Sequence, residues 1–278
     1  MQDIKILFED DAILVLNKPA GITVNKSDTT IHESTVQDWT ERRLGIGKSS
    51  LSFLRKQESS ENQDNTGSRI KSGMTGQVTD YTSDEYFRQS FAQRGGIVHR
   101  LDKETSGILI VAKSWQAFKN LQQQFKDRLV EKTYLALVHG VLSPQAGEIS
   151  VPVDRLPWNR RQFGVVPGGR ESTTFYKTLQ TYSLQGKQPE NFSLVDLTPK
   201  TGRTHQIRVH MKYLNHPIVS DFLYAGRKTA RDDRKLLERV FLHAAKISFN
   251  HPVTRERIHF ESPLPEELQS SINRLTKL

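Results

Sequence analysis

Residues 106–140, SGILIVAKSWQAFKNLQQQFKDRLVEKTYLALVHG, decide the fold class of this chain. A run of β-branched and other apolar residues ends at Ser114, a residue type that favours the N-cap of a helix. Four apolar side chains then recur at helical spacing, namely Phe118, Leu121, Phe125 and Leu129. The segment EKTYLALVHG (131–140) returns to the alternation of a strand, so the stretch predicts a strand, a helix and a second strand.

Further strands are predicted on both sides of this stretch. They fall within residues 4–16, 97–102, 172–182, 192–199, 241–249 and 257–261. A helix is predicted to follow Thr204 as its N-cap, with an apolar stripe at Ile207, Met211 and Leu214. Because the strands outnumber the helices and do not alternate with them, the pattern favours an α+β fold built on a mixed, mostly antiparallel sheet.

The charge of the chain indicates a polyanionic partner. Its 278 residues include 40 Lys and Arg against 31 Asp and Glu, which gives a formal net charge of +9. Nucleic acid is the first candidate for such a partner. The chain has no cysteine, and its nine histidines show neither an HExxH motif nor the spacing of zinc ligands. We therefore expect chemistry that needs no metal or other cofactor.

Two further features concern location and order. The N-terminal residues are acidic where a signal peptide is basic, and no apolar run approaches the roughly 18 residues that span a bilayer. These features predict a cytoplasmic protein without a membrane anchor. Residues 48–80 are rich in Ser, Gly, Asn, Gln and charge, and they predict a disordered insertion without catalytic residues.

The segment HRLD (99–102) carries the first candidate for chemistry. Asp102 follows a predicted strand at a turn, where a scaffold can present a side chain rigidly to a cleft. Arg100 lies two residues earlier, so both side chains would project from one face of an extended backbone. A surface ion pair at a strand end explains these two residues equally well.

The segment KTGRTHQIRVH (200–210) carries the second candidate. A turn with Arg203 leads into a helix N-terminus, which is a natural site for an anion. His205, Arg208 and Lys212 would share one helix face. This face is either a solvated basic surface or, if it turns inward, a place where Arg208 holds a buried carboxylate ionised.

Two other places could contribute to binding. Tyr134 lies on the strand that follows the helix, where a tyrosine is more often a core or interface residue than a catalyst. In RLPWNRRQF (155–163), Arg160 and Arg161 follow Trp158, a mixture of basic and aromatic side chains that is typical of an RNA-contacting loop but also of a basic surface loop.

Together these motifs resemble the RluA group of RNA pseudouridine synthases. The resemblance rests on five segments in the same order, NKPAG (17–21), HRLDKETSG (99–107), EKTYLALVHG (131–140), TGRTHQIRVH (201–210) and FLHAAKISFNHP (241–252). It covers residues 4–47 and 91–268 and implies a single α+β catalytic domain with an active cleft across a long bent sheet. It implies no cofactor and a monomer that acts on RNA, with ribosomal RNA preferred and transfer RNA possible.

The resemblance also implies roles for individual residues. Asp102 matches the family's essential aspartate, the nucleophile in uridine isomerisation, and Arg208 matches the basic residue that pairs with it. Tyr134 matches the tyrosine that stacks under the target base and assists the proton step. Arg100 matches the arginine that replaces the flipped uridine in the RNA stack.

The sequence differs from the family pattern in two places, and it leaves one alternative function open. No segment before residue 4 could hold the small RNA-binding domain that many relatives carry, and the insertion at 48–80 is longer and more polar than their linkers. The alternative is a catalytically idle RNA-binding or ribosome-assembly factor of the same fold. A kinase lacks support because the Gly-rich loop and DFG motif are missing, and a glycosidase would need a second carboxylate beside Asp102, where only Glu104 is near.

Overall fold

The computed structural model describes residues 4–27, 33–46, 83–185 and 189–278. The insertion predicted at 48–80 lies outside these residues. The side chains of Arg160 and Arg161 also lie outside the described part, although the backbone of both belongs to a strand. The predictions for these three places therefore stay predictions.

Ten of the described strands form one sheet, and two more form a separate hairpin. In chain order the strands are β1 (Lys5–Glu9), β2 (Ile13–Lys18), β3 (Ser106–Ala112), β4 (Glu131–His139), β5 (Ala146–Ser150), β6 (Val153–Leu156), β7 (Asn159–Val165), β8 (Thr173–Leu184), β9 (Glu190–Pro199), β10 (Leu242–Asn250), β11 (Arg257–Glu261) and β12 (Thr276–Lys277). The sheet order is β1-β2-β3-β10-β4-β9-β8-β12, with β11 beside β10 and β5 beside β8, while β6 and β7 form the hairpin. Of these pairings only β3 with β10 is parallel, which confirms the predicted α+β fold with a mixed, mostly antiparallel sheet.

Six helices flank the sheet in the described residues. They are α1 (Val36–Leu44), α2 (Asp84–Gln93), α3 (Trp115–Lys126), α4 (Gln206–Tyr213), α5 (Arg227–Asp233) and α6 (Glu266–Asn273). None of them combines the length and the apolar character needed to cross a membrane. Helix α3 begins as predicted, because the Ser114 hydroxyl accepts a hydrogen bond from the Ala117 N–H at 3.2 Å.

Strand β3 divides its side chains between two apolar cores. All seven of its residues are buried. Ile108 packs in a cluster with Phe118 of α3, whereas Leu109 belongs to a cluster on the opposite face with Val36 of α1. Since successive strand residues point to opposite faces, helices on both sides cover this one strand and fix its position in the sheet.

The strand predicted at residues 97–102 is wrong beyond its first residue. Ile97 forms an isolated bridge with Val111, and the chain then leaves the sheet. The reason is the His99 side chain, because its Nε2 accepts the Ile110 N–H at 2.9 Å and so takes a hydrogen bond that a paired strand would make. Residues 98–105 are therefore a loop, and Asp102 lies within it.

Two helix boundaries also differ from the prediction. Leu129 does not extend the apolar stripe of α3, because the helix ends at Lys126, Arg128 has a left-handed φ of 61° and Leu129 is 47% exposed. Thr204 is not the N-cap of α4. That position is taken by His205, whose φ is 55° and whose side chain makes no capping bond.

Gly107 lies at the point where β3 and β10 run side by side. Its φ is +113°, and a Cβ at this position would lie 2.3 Å from the Ala244 carbonyl oxygen and 2.7 Å from the Ala244 nitrogen. Both contacts involve backbone atoms in the middle of the sheet, so they cannot relax by a side-chain rotation. The close approach of the two strands therefore requires glycine here.

We expect the substitution Gly107→Ala to destabilise the protein by more than about 2 kcal/mol, because it introduces both a clash and an unfavourable φ. Urea unfolding monitored by circular dichroism measures the effect. Gly202→Ala is the matched control, since no atom lies within 4 Å of its added Cβ, and its unfolding midpoint should stay near that of the wild type. Equal midpoints for the two variants would show that β3 and β10 are not held as closely as described.

Candidate active site

A cleft with a volume of about 630 Å³ lies over the central strands. Three parts of the chain form most of its lining: the loop before β3, the stretch from the end of α3 into β4, and the turn that joins β9 to α4. Arg94 at the end of α2 and Leu242 of β10 complete it. Asp102 supplies the one carboxylate among the described lining residues, and eight others are Lys or Arg. This volume lies in the range of small-molecule sites, and the isolated carboxylate is the natural candidate for its reacting group.

Lys18 holds the Asp102 loop from one side. Its ammonium is fully buried and donates to the carbonyl oxygens of Pro19, Ile22 and Lys103 at 2.8, 2.9 and 3.1 Å. Burial, with a smaller contribution from the Arg239 charge, lowers the pKa of Lys18 to about 7. Lys103 directly follows Asp102. The hydrogen bond from Lys18 to the Lys103 carbonyl oxygen therefore joins the NKPAG segment to the loop that carries the Asp102 carboxylate.

Arg239 and Glu104 hold the other side of the same loop. Arg239 donates to the Glu104 carbonyl oxygen at 3.1 Å and to the Ser106 hydroxyl at 2.9 Å. The Glu104 carboxylate pairs with Arg234 at 3.0 Å and accepts the Val240 N–H. Glu104 is thus occupied outside the cleft, so it does not provide the second carboxylate that a glycosidase would need.

Arg208 of α4 connects Asp102 to a second, fully buried carboxylate. Its Nη1 donates to Asp102 Oδ2 at 3.0 Å, while its Nε and Nη2 bind the two oxygens of Asp221 at 2.7 and 2.8 Å. Burial acts to lower the pKa of the Arg208 guanidinium, but the hydrogen bonds and charges of Asp221 and Asp102 outweigh it and raise this pKa. The helix face of Arg208 therefore turns inward, and its charge is permanent.

Tyr224 supports this ion pair from below. The Arg208 guanidinium lies 5.0 Å from the centre of the Tyr224 ring, and the phenolic oxygen accepts the Phe163 N–H at 3.0 Å. The same oxygen lies 2.8 Å from His205 Nδ1, so the phenolic proton can be donated to that nitrogen. Burial lowers the pKa of His205. When Nδ1 accepts the Tyr224 proton, the neutral ring has its own proton on Nε2, which lies 3.8 Å from Asp102 Oδ2.

Tyr134 of β4 lines the cleft together with Asp102. Its ring lies where the apolar cluster around Leu109 meets the cluster around Leu197. Burial, and then the Asp102 charge, raises the pKa of Tyr134 above its ordinary value. The side chain is therefore a neutral phenol at physiological pH, able to support a ring and to donate a hydrogen bond.

The structure places the predicted RNA-contacting residues in different surroundings. Arg100, Arg203 and His205 line the cleft, and Arg100 is exposed. Lys212 does not line the cleft, and its ammonium lies 5.9 Å from the centre of the Tyr224 ring. Lys212 and Arg208 both belong to α4, as the sequence predicted, but only Arg208 lines the cleft.

Sequence reasoning missed three residues of the site: Lys18, Asp221 and Tyr224. Lys18 lies in the NKPAG segment (17–21), whose proline and glycine are typical of a turn, and nothing in this segment indicates a buried lysine. Asp221 and Tyr224 lie in an irregular segment without a helical or strand pattern, where an aspartate ordinarily indicates a turn. The one available signal was the possibility that Arg208 faces inward, because a buried arginine needs a carboxylate partner and a second aspartate could have been sought for that reason.

One group of three potential metal ligands exists among the described residues, away from the cleft. His139, Glu190 and Asp233 bring their ligand atoms within 4.8 Å of one another, although they are far apart in sequence. His139 Nε2 and Asp233 Oδ2 are 3.0 Å apart, and this carboxylate oxygen also accepts the Ser220 N–H. The hydrogen bonds explain the cluster as part of the fold, and none of the three residues lines the cleft.

Comparison with known proteins gives one consistent result. The model of the family described as RNA pseudouridylate synthase matches residues 12–213. The chain is 32% identical over 275 residues to a Bacillus subtilis protein named as an uncharacterized RNA pseudouridine synthase, a match that covers 99% of this chain and 74% of that protein. It is 32% identical over 270 residues to ribosomal large subunit pseudouridine synthase D of Neisseria meningitidis serogroup B, covering 95% of this chain and 59% of that protein.

A solved structure shows the same similarity in three dimensions. The fold is similar to that of human RNA pseudouridylate synthase domain containing 1, with a TM-score of 0.66 and 25% sequence identity. The alignment covers 100% of this chain and 89% of the human chain. By contrast, this chain spans little more than half the length of the Neisseria relative.

We expect Asp221→Ala to destabilise the protein by about 3–5 kcal/mol, because it leaves most of the buried Arg208 charge without its partner. Chemical unfolding in urea, followed by tryptophan fluorescence, measures this loss. Asp232→Ala is the control, since Asp232 is paired with Lys235 on the surface and its loss should leave the unfolding midpoint unchanged. If the two variants unfold at the same urea concentration, Asp221 does not compensate Arg208 as described.

Proposed function

This chain belongs to the RNA pseudouridylate synthase family, and we propose that it converts particular uridines of a structured RNA to pseudouridine. The observation that carries the proposal is the Asp102 carboxylate, bound to the buried Arg208 in an otherwise basic cleft. The name of the Neisseria relative supports large-subunit ribosomal RNA as the preferred substrate, with transfer RNA as the second candidate.

In the proposed reaction, Asp102 acts as the nucleophile on the ribose of the target uridine. A carboxylate oxygen attacks C1′ and displaces the uracil, which leaves with the electron pair of the N1–C1′ bond. The uracil turns within the cleft, and its C5 then attacks C1′ and displaces the carboxylate. Loss of the C5 proton and protonation of N1 complete the isomerisation, so atoms and electrons balance without an oxidant or reductant.

The other residues around Asp102 have roles that follow from their contacts. Arg208 orients the carboxylate through a hydrogen bond, and it is itself fixed by Asp221. Tyr134 supports the flipped base by stacking and assists the proton step as a hydrogen-bond donor, because a phenol with a raised pKa is a poor base at neutral pH. The exposed Arg100 enters the space that the flipped uridine leaves in the RNA stack.

The basic cleft suits an RNA substrate better than a small metabolite. Eight Lys or Arg side chains line it beside a single carboxylate, so the phosphates of RNA meet an attractive field around the reacting group. Unstacking a uridine from RNA costs free energy, which contacts between the cleft and the neighbouring phosphates can offset.

We expect Asp102→Asn to abolish pseudouridine formation while the protein keeps its fold, because Arg208 retains Asp221 as a partner. Pseudouridine mapping of total RNA from cells without the gene, complemented with wild type or variant, measures this. Asp11→Asn, at an exposed turn, is the control and should restore every site. Sites restored by Asp102→Asn would contradict its role, and unchanged RNA in the deletion strain would favour the idle RNA-binding factor.

We expect Tyr134→Phe to keep RNA affinity, since the ring still stacks, but to slow the reaction by about 10²-fold or more if its hydroxyl assists proton transfer. Release of tritium from [5-³H]uridine in the RNA identified by the mapping gives the rate, and filter binding gives the affinity. Tyr213→Phe, on an exposed position of α4, is the control. An unchanged rate in the Phe variant would limit Tyr134 to stacking.

A further inference from the structure

Five cationic side chains line the part of the cleft between the end of α2 and β4. They are Arg94, Arg100, Lys126, Arg128 and Lys132, and together they are called the basic wall. In the described part of the chain, none of them pairs with a carboxylate or donates a side-chain hydrogen bond, whereas Arg208 in the same cleft has two carboxylate partners. The described residues therefore leave the positive charge of the basic wall without a carboxylate partner.

Lys132 is the least solvated lysine of the basic wall. Its ammonium lies 5.7 Å from the centre of the Phe125 ring, and burial lowers its pKa to about 8. A charged group removed from water without a hydrogen-bond acceptor is costly in the free protein. Such a cation on the wall of a cleft points to a ligand that brings the missing negative charge.

The groups that face Lys132 do not supply this charge. His99 is neutral, because burial and the charges of Lys132 and Arg94 lower its pKa to about 3, and its Nε2 already accepts the Ile110 N–H. Arg94 is itself half-buried above the Phe118 ring, with its guanidinium 5.9 Å from the ring centre. Tyr134 carries its proton, so the surroundings of Lys132 are neutral or positive.

The position of Lys132 relative to Tyr134 indicates which part of an RNA it meets. The two residues are separated by one position on β4, so their side chains leave the same face of the strand about 7 Å apart. A nucleotide with its base on Tyr134 has its phosphates one sugar away from the base, a distance similar to the separation of these two side chains. We propose that Lys132 binds a backbone phosphate next to the target uridine.

This inference rests on the proposed function, which supplies the RNA and places the uracil on Tyr134. A lysine could also donate to a uracil carbonyl, but a neutral carbonyl would leave the charge of Lys132 uncompensated. A phosphodiester carries a full negative charge and satisfies both electrostatics and hydrogen bonding.

Binding of a uridine octanucleotide at several salt concentrations tests the proposal. The full-length chain is compared with Lys132→Met, Lys132→Arg and the control Lys277→Met at the exposed edge strand. We expect Lys132→Met to weaken binding about tenfold at low salt and to reduce the slope of log affinity against log salt by about 0.7. Lys132→Arg and Lys277→Met should keep both the affinity and the slope.

The same octanucleotide with neutral methylphosphonate linkages separates phosphate from base contacts. Wild type and Lys132→Met should bind it equally, because the charge that Lys132 recognises is gone. Weaker binding of both octanucleotides with an unchanged salt slope would assign Lys132 to the uracil and overturn the proposal. Unchanged binding of the natural octanucleotide by Lys132→Met would overturn it as well.

A stability measurement distinguishes this role from a structural one. Lys132 is half-buried, and among the described residues its ammonium contacts the Phe125 ring but has no hydrogen-bond acceptor. We therefore expect Lys132→Met to unfold at a higher temperature than the wild type when no RNA is present. A lower unfolding temperature would indicate that the lysine serves the fold. These experiments measure binding and stability, not pseudouridine formation. The phosphate contact of Lys132 can therefore be confirmed in a protein that forms no pseudouridine, and it can be refuted in one that does.

Discussion

The site depends on one guanidinium that two carboxylates share. Arg208 is buried, so its charge must be compensated, and Asp221 alone does this with two hydrogen bonds. The Nη1 group is then free to orient Asp102, which stays partly exposed to the cleft. The two carboxylates therefore have different tasks. Asp221 compensates the buried charge and fixes the position of α4, while Asp102 keeps one oxygen free of Arg208. The left-handed His205 before α4 and the Tyr224 ring below it set the direction in which Arg208 enters.

A reactive carboxylate in a cleft for RNA presents an electrostatic problem, since the phosphates of the substrate repel it. The positive charges of the cleft are distributed unevenly with respect to the carboxylates. Arg208 offsets the carboxylates locally, while the basic wall keeps its positive charge for the substrate. Desolvated cations are unfavourable in the free protein, so part of its stability is given up for a prepared binding surface. In the function that we propose, affinity for the polyanion and reactivity toward ribose are thus served by different side chains.

The sequence predicted the parts of the fold that follow from local patterns. The alternation of β3, the cap at Ser114 and the start of α3 are local properties, and the structure has all of them. The helices α1, α2, α5 and α6 and the hairpin of β6 and β7 were not predicted, because their apolar patterns are short and their packing is tertiary. For the site, Asp102 and Arg208 could be named from motifs, whereas Lys18 and Asp221 could not. Their roles depend on contacts between segments that are distant in sequence, and a lysine or an aspartate in a turn has no local signal of burial.

The contact between Asp102 and Arg208 spans 106 residues of sequence, and β3 meets β10 across a still longer separation. During synthesis, the loop with Asp102 therefore leaves the ribosome long before its partners exist. In that interval its carboxylate is hydrated, and the apolar residues of β3 have no parallel neighbour. Contacts of such high sequence separation form late and slowly, so the reaction centre is assembled only as the last strands join the sheet. The pair of Asp102 and Arg208 is consequently missing during most of synthesis, when the nascent chain is bound to a ribosome, a particle rich in the kind of molecule on which we propose that it acts.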